Sequence, residues 1–216
     1  MLIKLKKQLG NYLNTKLIKK LTLFSFILIP VERPEFFLDL QYKDLPKNKV
    51  TINKEVRIEV QNSASPLFVK IPEIQAWTSI EVSGNIKVKK TLKEEKKDAY
   101  FHLGIIYEGD TTLGFFSLIF APEWIKTLLN LAPNGYGLDS IDFHAFYGKE
   151  NFKGGPEKIS GVKFNTIPVT RLKKDGSFTA IIKPREKKIL ALWLRSDADD
   201  ERGEFVVNIS KLAVIE

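Results

Sequence analysis

Beyond residue 55 most of the chain alternates between hydrophobic and polar positions with a period of two. In "VRIEVQ", Val56, Ile58 and Val60 share one side while Arg57, Glu59 and Gln61 share the other. This is the pattern of a strand with one buried face. "NSASP" supplies turn chemistry before "LFVKI". The alternation returns with Ile80, Val82, Ile86 and Val88 opposite Ser79, Glu81, Ser83, Asn85 and Lys87. "AYFHLGIIYEG", "SIDFHAFYG", "FNTIPVTRL", "SFTAIIKP", "KILALWLRS" and "EFVVNISKLAVIE" read as further strands, punctuated by Gly, Pro, Asn and Asp. The pattern predicts an all-β fold, an antiparallel sandwich or barrel, over alternating strand and helix units.

One stretch departs from this period. "PEWIKTLLNLAP", residues 122 to 133, places Pro122 at the first helical position with Glu123 beside it, where an acid complements the helix N-terminus. Trp124, Leu128 and Leu131 form a helical stripe that Ile125 and Leu129 widen, and Pro133 with "NGYG" ends it. The preceding "LGFFSLIFA" is more apolar than a surface connection requires. The segment 113 to 131 therefore predicts a helical insertion across one mouth of the sandwich. "KVKKTLKEEKKD", residues 87 to 98, mixes six lysines with three acids and predicts a solvated loop between strands.

Charge changes the picture at the N-terminus. The 216 residues suit one domain with a substantial core, and they carry a net charge of +8. Six of the 34 basic residues, Lys4, Lys6, Lys7, Lys16, Lys19 and Lys20, precede the first acid at Glu32. The remaining 28 basic and 26 acidic residues leave only +2. That near-neutral body lacks the broad positive field of a nucleic-acid binder. The lysines are followed by apolar "LTLFSFILIPV", residues 21 to 31, and then by "ERPE". A positive region before a short apolar one reads as an export signal. Eleven residues fall short of the roughly 17–25 of a comfortable membrane span, and no Ala-x-Ala-like site follows, the first alanine being Ala64. The expectation is a leader over 1–31, either an export signal or a weak membrane anchor, then a leading segment over 32–54 and one domain over 55–216. The expected address is the bacterial cell envelope, periplasmic or anchored at the inner membrane. The competing reading of the leader is an amphipathic helix packed on a cytosolic domain. The absence of cysteine excludes disulfides, thiolate metal sites and a lipid-modified cysteine.

The run "VRIEVQNSASPLFVKI", "WTSIEVSGNIKV", "YFHLGIIYEG" and "KILALWLRSDADDERGEFVVNISKLAVIE" resembles, over roughly residues 55 to 216, the galactose-binding-like jelly roll used by carbohydrate-binding modules. "YEGD", "KTLLNLAP" and the acidic "DADD" turn are similar to those of small exported bacterial proteins of unassigned function. The first resemblance implies a jelly-roll sandwich that binds a glycan; the second implies an envelope address and brings no activity.

Candidate chemistry falls into two groups. The turn "WLRSDADDERGEF" gathers acids, but counting from Asp197 the glycine position of a calcium loop of EF-hand type is Arg202 and its final acid position is Asn208. What stays open there is a looser calcium site on Asp197, Asp199 or Asp200, beside the reading of a charged hairpin turn in which Gly203 takes a positive φ. No other cofactor is implied. No phosphate loop, dinucleotide fingerprint or Gly-x-Ser-x-Gly occurs, and the only histidines are His102 and His144. Glu108, Asp110 and Asp142 are the carboxylates to consider for glycoside hydrolysis, and the reading that leads is a non-enzymatic one.

The second group is a polar strand face. Alternation places Tyr100, His102 and Glu108 together, puts Asp142 and His144 with Phe146 opposite Ile141, Phe143, Ala145 and Tyr147, and sets Trp193 and Arg195 opposite Leu192 and Leu194. If the strands are neighbours, aromatic rings and hydrogen-bonding groups share a face suited to a glycan or other polar envelope ligand. The competing reading buries Trp193 and Phe146 as core beneath the insertion and satisfies His144 with Asp142. A second function class uses the apolar 113–131 segment against lipid or a protein partner.

Overall fold

The structure, a computed structural model, describes residues 26–93, 99–109, 123–131, 137–150, 152–159, 162–200 and 202–215. Along the chain run β1 (Phe26–Leu28), a short 3-10 turn (Pro34–Phe36), β2 (Phe37–Asp39), β3 (Lys49–Ile52), β4 (Val56–Gln61) and β5 (Ala64–Gln75). They are followed by β6 (Ser79–Lys90), β7 (Phe101–Gly109), the helix α1 (Glu123–Leu131), β8 (Gly137–Tyr147) and β9 (Gly155–Ile159). The last four strands are β10 (Val162–Arg171), β11 (Ser177–Ile182), β12 (Ile189–Asp197) and β13 (Glu204–Ile215). The described chain is all-β apart from α1 and the 3-10 turn. Every strand read from the alternation is present, and β1, β2, β3 and β9 are additional.

The strands form two sheets. A six-stranded sheet has the order β11-β6-β13-β4-β3, with β1 also paired to β13, and a seven-stranded sheet has the order β2-β5-β12-β7-β8-β10-β9. The alternating apolar side chains explain why they face each other. Val56, Ile58 and Val60 of β4, Ile80, Val82 and Ile86 of β6 and Phe205, Val207 and Ile209 of β13 meet Leu67, Val69, Phe101, Leu103, Ile105, Leu192 and Leu194 from the other sheet. This buried layer makes the fold a β-sandwich.

One pairing departs from the antiparallel expectation. β10 lies parallel to β8, while β9 pairs antiparallel with β10. After β8 the chain passes to the edge as β9 and returns through β10 between them, which forces β10 into the direction of β8.

The expected boundary near Val31 falls inside the sandwich. Phe26, Ile27 and Leu28 pair with Ile215, Val214 and Ala213, the Ile29 N–H donates to the Leu212 carbonyl at 3.0 Å, and Ile29 and Val31 are buried in the core. Residues 1–25 lie outside the described residues. Among the described residues, no helix is long and apolar enough to cross a membrane. The lysine-rich stretch also begins differently from expectation, because β6 continues to Lys90 and Leu92 is buried; residues 94–98 lie outside the described part.

A second apolar layer covers the outer face of the seven-stranded sheet. Ile125 and Leu128 of α1 are buried against Phe68, Ile106, Ile141, Phe143, Phe164 and Trp193, with Trp124, Leu129, Leu38, Leu40 and Tyr42 packed around them. The predicted helix is thus present over residues 123–131, and it lies on a sheet face instead of across a mouth of the sandwich; the apolar run 113–121 before it and the candidate carboxylate Asp110 lie outside the described residues.

Candidate functional site

Register decides which candidate side chains meet. Residues directly opposite in an antiparallel pair project from the same face. Trp193 pairs with Gly104, which pairs with Phe143; Arg195 pairs with His102, which pairs with Ala145. All of these belong to the outer face. On the inner face Leu103 pairs with His144 and Ile105 with Asp142. The neighbouring strands β12, β7 and β8 therefore bring His102, Trp193 and Arg195 together, and place Asp142 and His144 on the other side of the sheet. Tyr100 is buried in the inter-sheet core with its ring 5.1 Å from Phe205. Glu108 sits near the strand end, 3.5 Å from the Lys188 ammonium. Neither of these two joins His102, Trp193 and Arg195 on the outer face.

The outer face carries a cleft of about 320 Å³. Tyr42, Trp124, Phe143, Phe164 and Trp193 supply aromatic walls, and Arg195, Asp197, Glu157 and Thr166 supply polar groups. Gly104 makes the platform compact: a Cβ there would stand 2.8 Å from the Phe143 ring and 3.0 Å from the Trp193 Cβ. Without one, the Phe143 and Trp193 rings approach to 5.1 Å in a T-shaped contact, and Phe143 lies parallel to Phe164 at 5.9 Å. Trp124 reaches down from α1 to 5.3 Å from Trp193 and 6.1 Å from Phe164. These separations suit favourable aromatic pairs. Trp193 itself is only 3% exposed, so it forms the floor of the cleft and belongs to the packed layer beneath α1. Trp124 is half-buried and forms a wall.

The polar side of the cleft is arranged around Arg195. Its guanidinium lies 5.3 Å over the Phe143 ring and bonds the Asp197 carboxylate at 3.0 Å. Burial would raise the pKa of Asp197, but a hydrogen bond from Asp199 and the charge of Arg195 bring it below the usual carboxylate range. Asp199 moves the other way. Its bond to Asp197, then burial and the charges of Asp197 and Asp200, push its pKa up to about 7. The two carboxyls thus share a proton near neutrality. Burial lifts the Tyr42 hydroxyl to about 12, which keeps it neutral as a donor. Burial, assisted by Arg195, lowers His102 to about 3, so its imidazole is neutral; no described residue partners its Nδ1.

The inner face holds a separate polar cluster. Asp142 accepts from Arg185 Nε at 2.8 Å and Arg185 Nη2 at 2.7 Å, and from Asn165 at 2.8 Å. Arg185 also donates to Ser140 Oγ at 2.8 Å and lies 4.4 Å over the Tyr107 ring. His144 is buried with its pKa lowered to about 4, burial outweighing the opposing charge of Asp142, and no described residue partners its Nε2. Asp142 is bound to Arg185 and Asn165, which differs from the expected His144–Asp142 partnership. Phe146 enters the inter-sheet core, 4.7 Å from Phe178.

The acidic turn is not the expected hairpin: β12 and β13 belong to different sheets, so it carries the chain from one sheet to the other. Asp199 N–H approaches Asp197 Oδ1 at 3.4 Å, and Ala198 N–H bonds the Ser63 carbonyl at 3.1 Å. Positive φ falls on Arg202 (51°), not on Gly203 as expected. Gly203 answers to packing: a Cβ would meet Leu92 Cδ2 at 2.6 Å. Among the described residues, no group of three or more His, Asp or Glu side chains could hold a metal ion.

Several lining residues were not singled out as ligand contacts from sequence. Phe143 and Phe164 read as strand apolar positions, Trp124 as a helix stripe, and Tyr42 comes from an irregular segment. The one local signal was Gly104 inside a strand, which marks close approach by neighbouring groups. No protein-family model matches the chain, and no curated protein matches it in sequence.

Proposed function

We propose that this chain is a binding module of the bacterial envelope whose outer-face cleft takes a glycan or a comparable polar ligand with an apolar face. The observation that carries this reading is the cleft itself, in which five aromatic residues line one concavity with Arg195, Asp197, Glu157 and Thr166. Its volume of about 320 Å³ falls at the lower end of the roughly 300–1,000 Å³ range of ligand pockets. Aromatic walls stack on the apolar face of a sugar ring, and the polar groups bond its hydroxyls. Arg195 is already held by Asp197 and Phe143, so less of its freedom is lost on binding.

The proposed fold relationship is a jelly roll of the galactose-binding-like kind. Support comes from the order β11-β6-β13-β4 facing β5-β12-β7-β8, in which the consecutive strands β4, β5, β6 and β7 alternate between sheets. The envelope address rests on the lysine-rich, then apolar, N-terminal sequence. The alternative of an apolar docking segment at 113–131 draws little support from its described part. Ile125 and Leu128 are buried against this chain's own sheet.

The test is retention of the purified full chain on a panel of envelope polysaccharides, alongside Trp124→Ala and Arg195→Gln. Wild type should be retained saturably, and each substitution should weaken retention at least about tenfold while the fold persists. A wild type that no polysaccharide retains, or two variants retained as well as wild type, would reject the reading. Release of shortened sugars would replace binding with hydrolysis.

A further inference from the structure

A second concavity, of about 800 Å³, differs in chemistry from the aromatic cleft. Lys87, Arg171, Lys173 and Lys174 border it, against one lining carboxylate among the described residues, Asp175. These cations arrive from the end of β6, the end of β10 and the β10–β11 turn, so the fold gathers what the sequence separates. The chain beyond the N-terminal lysines has 28 basic and 26 acidic residues, so four cations against Asp175 and the Arg171-bound Glu150 are a local concentration.

The geometry is held in place. Gly176 has φ of 80°, its N–H bonds the Lys173 carbonyl at 2.9 Å, and Lys173 N–H bonds the Ser177 carbonyl at 3.2 Å. The turn is fastened to β6 through the Ile86 N–H to the Gly176 carbonyl at 2.9 Å and Asn85 Nδ2 to the Asp175 carbonyl at 2.9 Å. A Cβ at Gly176 would stand 2.1 Å from the Ile86 carbonyl oxygen, so only glycine permits this approach. The Asp175 carboxylate caps the turn, accepting from Ser177 N–H at 2.9 Å and Ser177 Oγ at 2.7 Å. Arg171 Nε donates to the Gly148 carbonyl at 3.0 Å, and its Nη1 bonds the Glu150 carboxylate, which fixes the guanidinium at the rim. Buried Ile86 and Tyr100 form the low-dielectric side of the concavity.

We infer that this basic cleft is an anion site for a multiply charged, phosphate-type oxyanion, separate from the aromatic cleft. Lysine ammonium groups bind phosphate as point charges, and Arg171 adds planar donors. A concave wall of one sign concentrates such anions beyond what exposed lysines achieve singly. With Asp175 and the Arg171-bound Glu150 set against the four cations, an excess of two positive charges remains, which a doubly charged oxyanion matches better than a singly charged carboxylate.

The experiment measures calorimetric binding of inorganic pyrophosphate to the full chain at low ionic strength. In parallel, the chain is mixed with phosphatidylcholine vesicles with and without phosphatidylglycerol. The site variant is Lys87→Gln, Lys173→Gln and Lys174→Gln together; the control, with the same net charge, is Lys43→Gln, Lys158→Gln and Lys163→Gln. Saturable pyrophosphate binding that weakens about tenfold or more in the site variant, stays unchanged in the control and falls with salt supports a site for soluble anions. Binding only to phosphatidylglycerol vesicles, lost in the site variant and kept in the control, assigns the same chemistry to a lipid headgroup. No response to either probe, or equal losses in both variants, overturns the inference.

Discussion

Arg185 grips Asp142 with two nitrogens, Nε at 2.8 Å and Nη2 at 2.7 Å, across the inner face of the seven-stranded sheet. The Asp142 side chain is 5% exposed and that of Arg185 39%, so the carboxylate depends on the pair more than the guanidinium does. Removing one partner of a fully buried pair costs about 3–5 kcal/mol. Arg185→Met should therefore cost about 2 kcal/mol, discounted for its exposure, because Asn165 continues to bond the stranded carboxylate. Asp142→Asn with Arg185→Met should cost less than the two single changes added. Chemical denaturation of the four proteins measures this, and strict additivity would show that the pair contributes no coupling.

The floor of the aromatic cleft should respond as packed core. Trp193→Ala removes a side chain that is 3% exposed and surrounded by Phe68, Phe143 and Trp124, and should cost roughly 3–5 kcal/mol. Gly104→Ala tests the same layer from the opposite direction. Its Cβ would force apart Phe143 and Trp193, and overpacking of this kind costs about 1–3 kcal/mol. A thermal melt followed by tryptophan fluorescence reports both effects. A neutral Gly104→Ala would mean that the rings yield freely.

What the sequence made legible, and what it did not, follows from the reach of a period-two pattern. Alternation assigns side chains to one of two faces within a strand, so β4, β6, β7, β8, β12 and β13 were readable. It does not say which face of one strand matches which face of its neighbour. That matching depends on register, and Leu103 opposite His144 sends His144 away from His102 and Trp193. Short strands such as β1, β2 and β3 have three or four residues, too few to display a period. Trp193 and Arg195 were placed correctly together, and His102 joins them. Tyr42 and Glu157 come from segments whose approach is tertiary, so no local pattern announced them.

Acid should destabilise the fold through its histidines. His102 and His144 have folded pKa values of about 3 and about 4, against an ordinary 6.5. A depressed value means that the unfolded chain takes up protons first, so their contribution is full above about pH 6.5 and is lost as pH falls towards 4 and 3. Asp199 acts in the opposite sense. Its folded value of about 7 lies above an ordinary 3.8, so its contribution is full below about pH 4 and is lost as pH rises towards 7. Melting temperatures of wild type, His144→Gln and Asp199→Asn between pH 4 and 8 separate the trends. Asp199→Asn should steepen the fall on acidification, and His144→Gln should flatten it. A pH response identical in all three proteins would contradict both assignments.

The apolar stretch at 21–31 supplies the last test, because part of it is structural. Phe26–Leu28 cover one end of β13, and Ile29 and Val31 are buried at 1% and 6% exposure. A chain beginning at residue 26 keeps these contacts, whereas one beginning at Glu32 loses a strand and two core side chains. Full burial of such side chains is worth about 1.5–3 kcal/mol each as an upper estimate. The shorter chain should therefore be less stable by about 3 kcal/mol or more, and it should expose the β13 edge to pairing with another chain. The longer chain should melt like the full-length protein. Any processing that removes the lysine-rich segment without cost to the sandwich must consequently cut before Phe26. Equal melting temperatures for the two shortened chains would show that β1 contributes nothing, and would return the functional boundary to Val31.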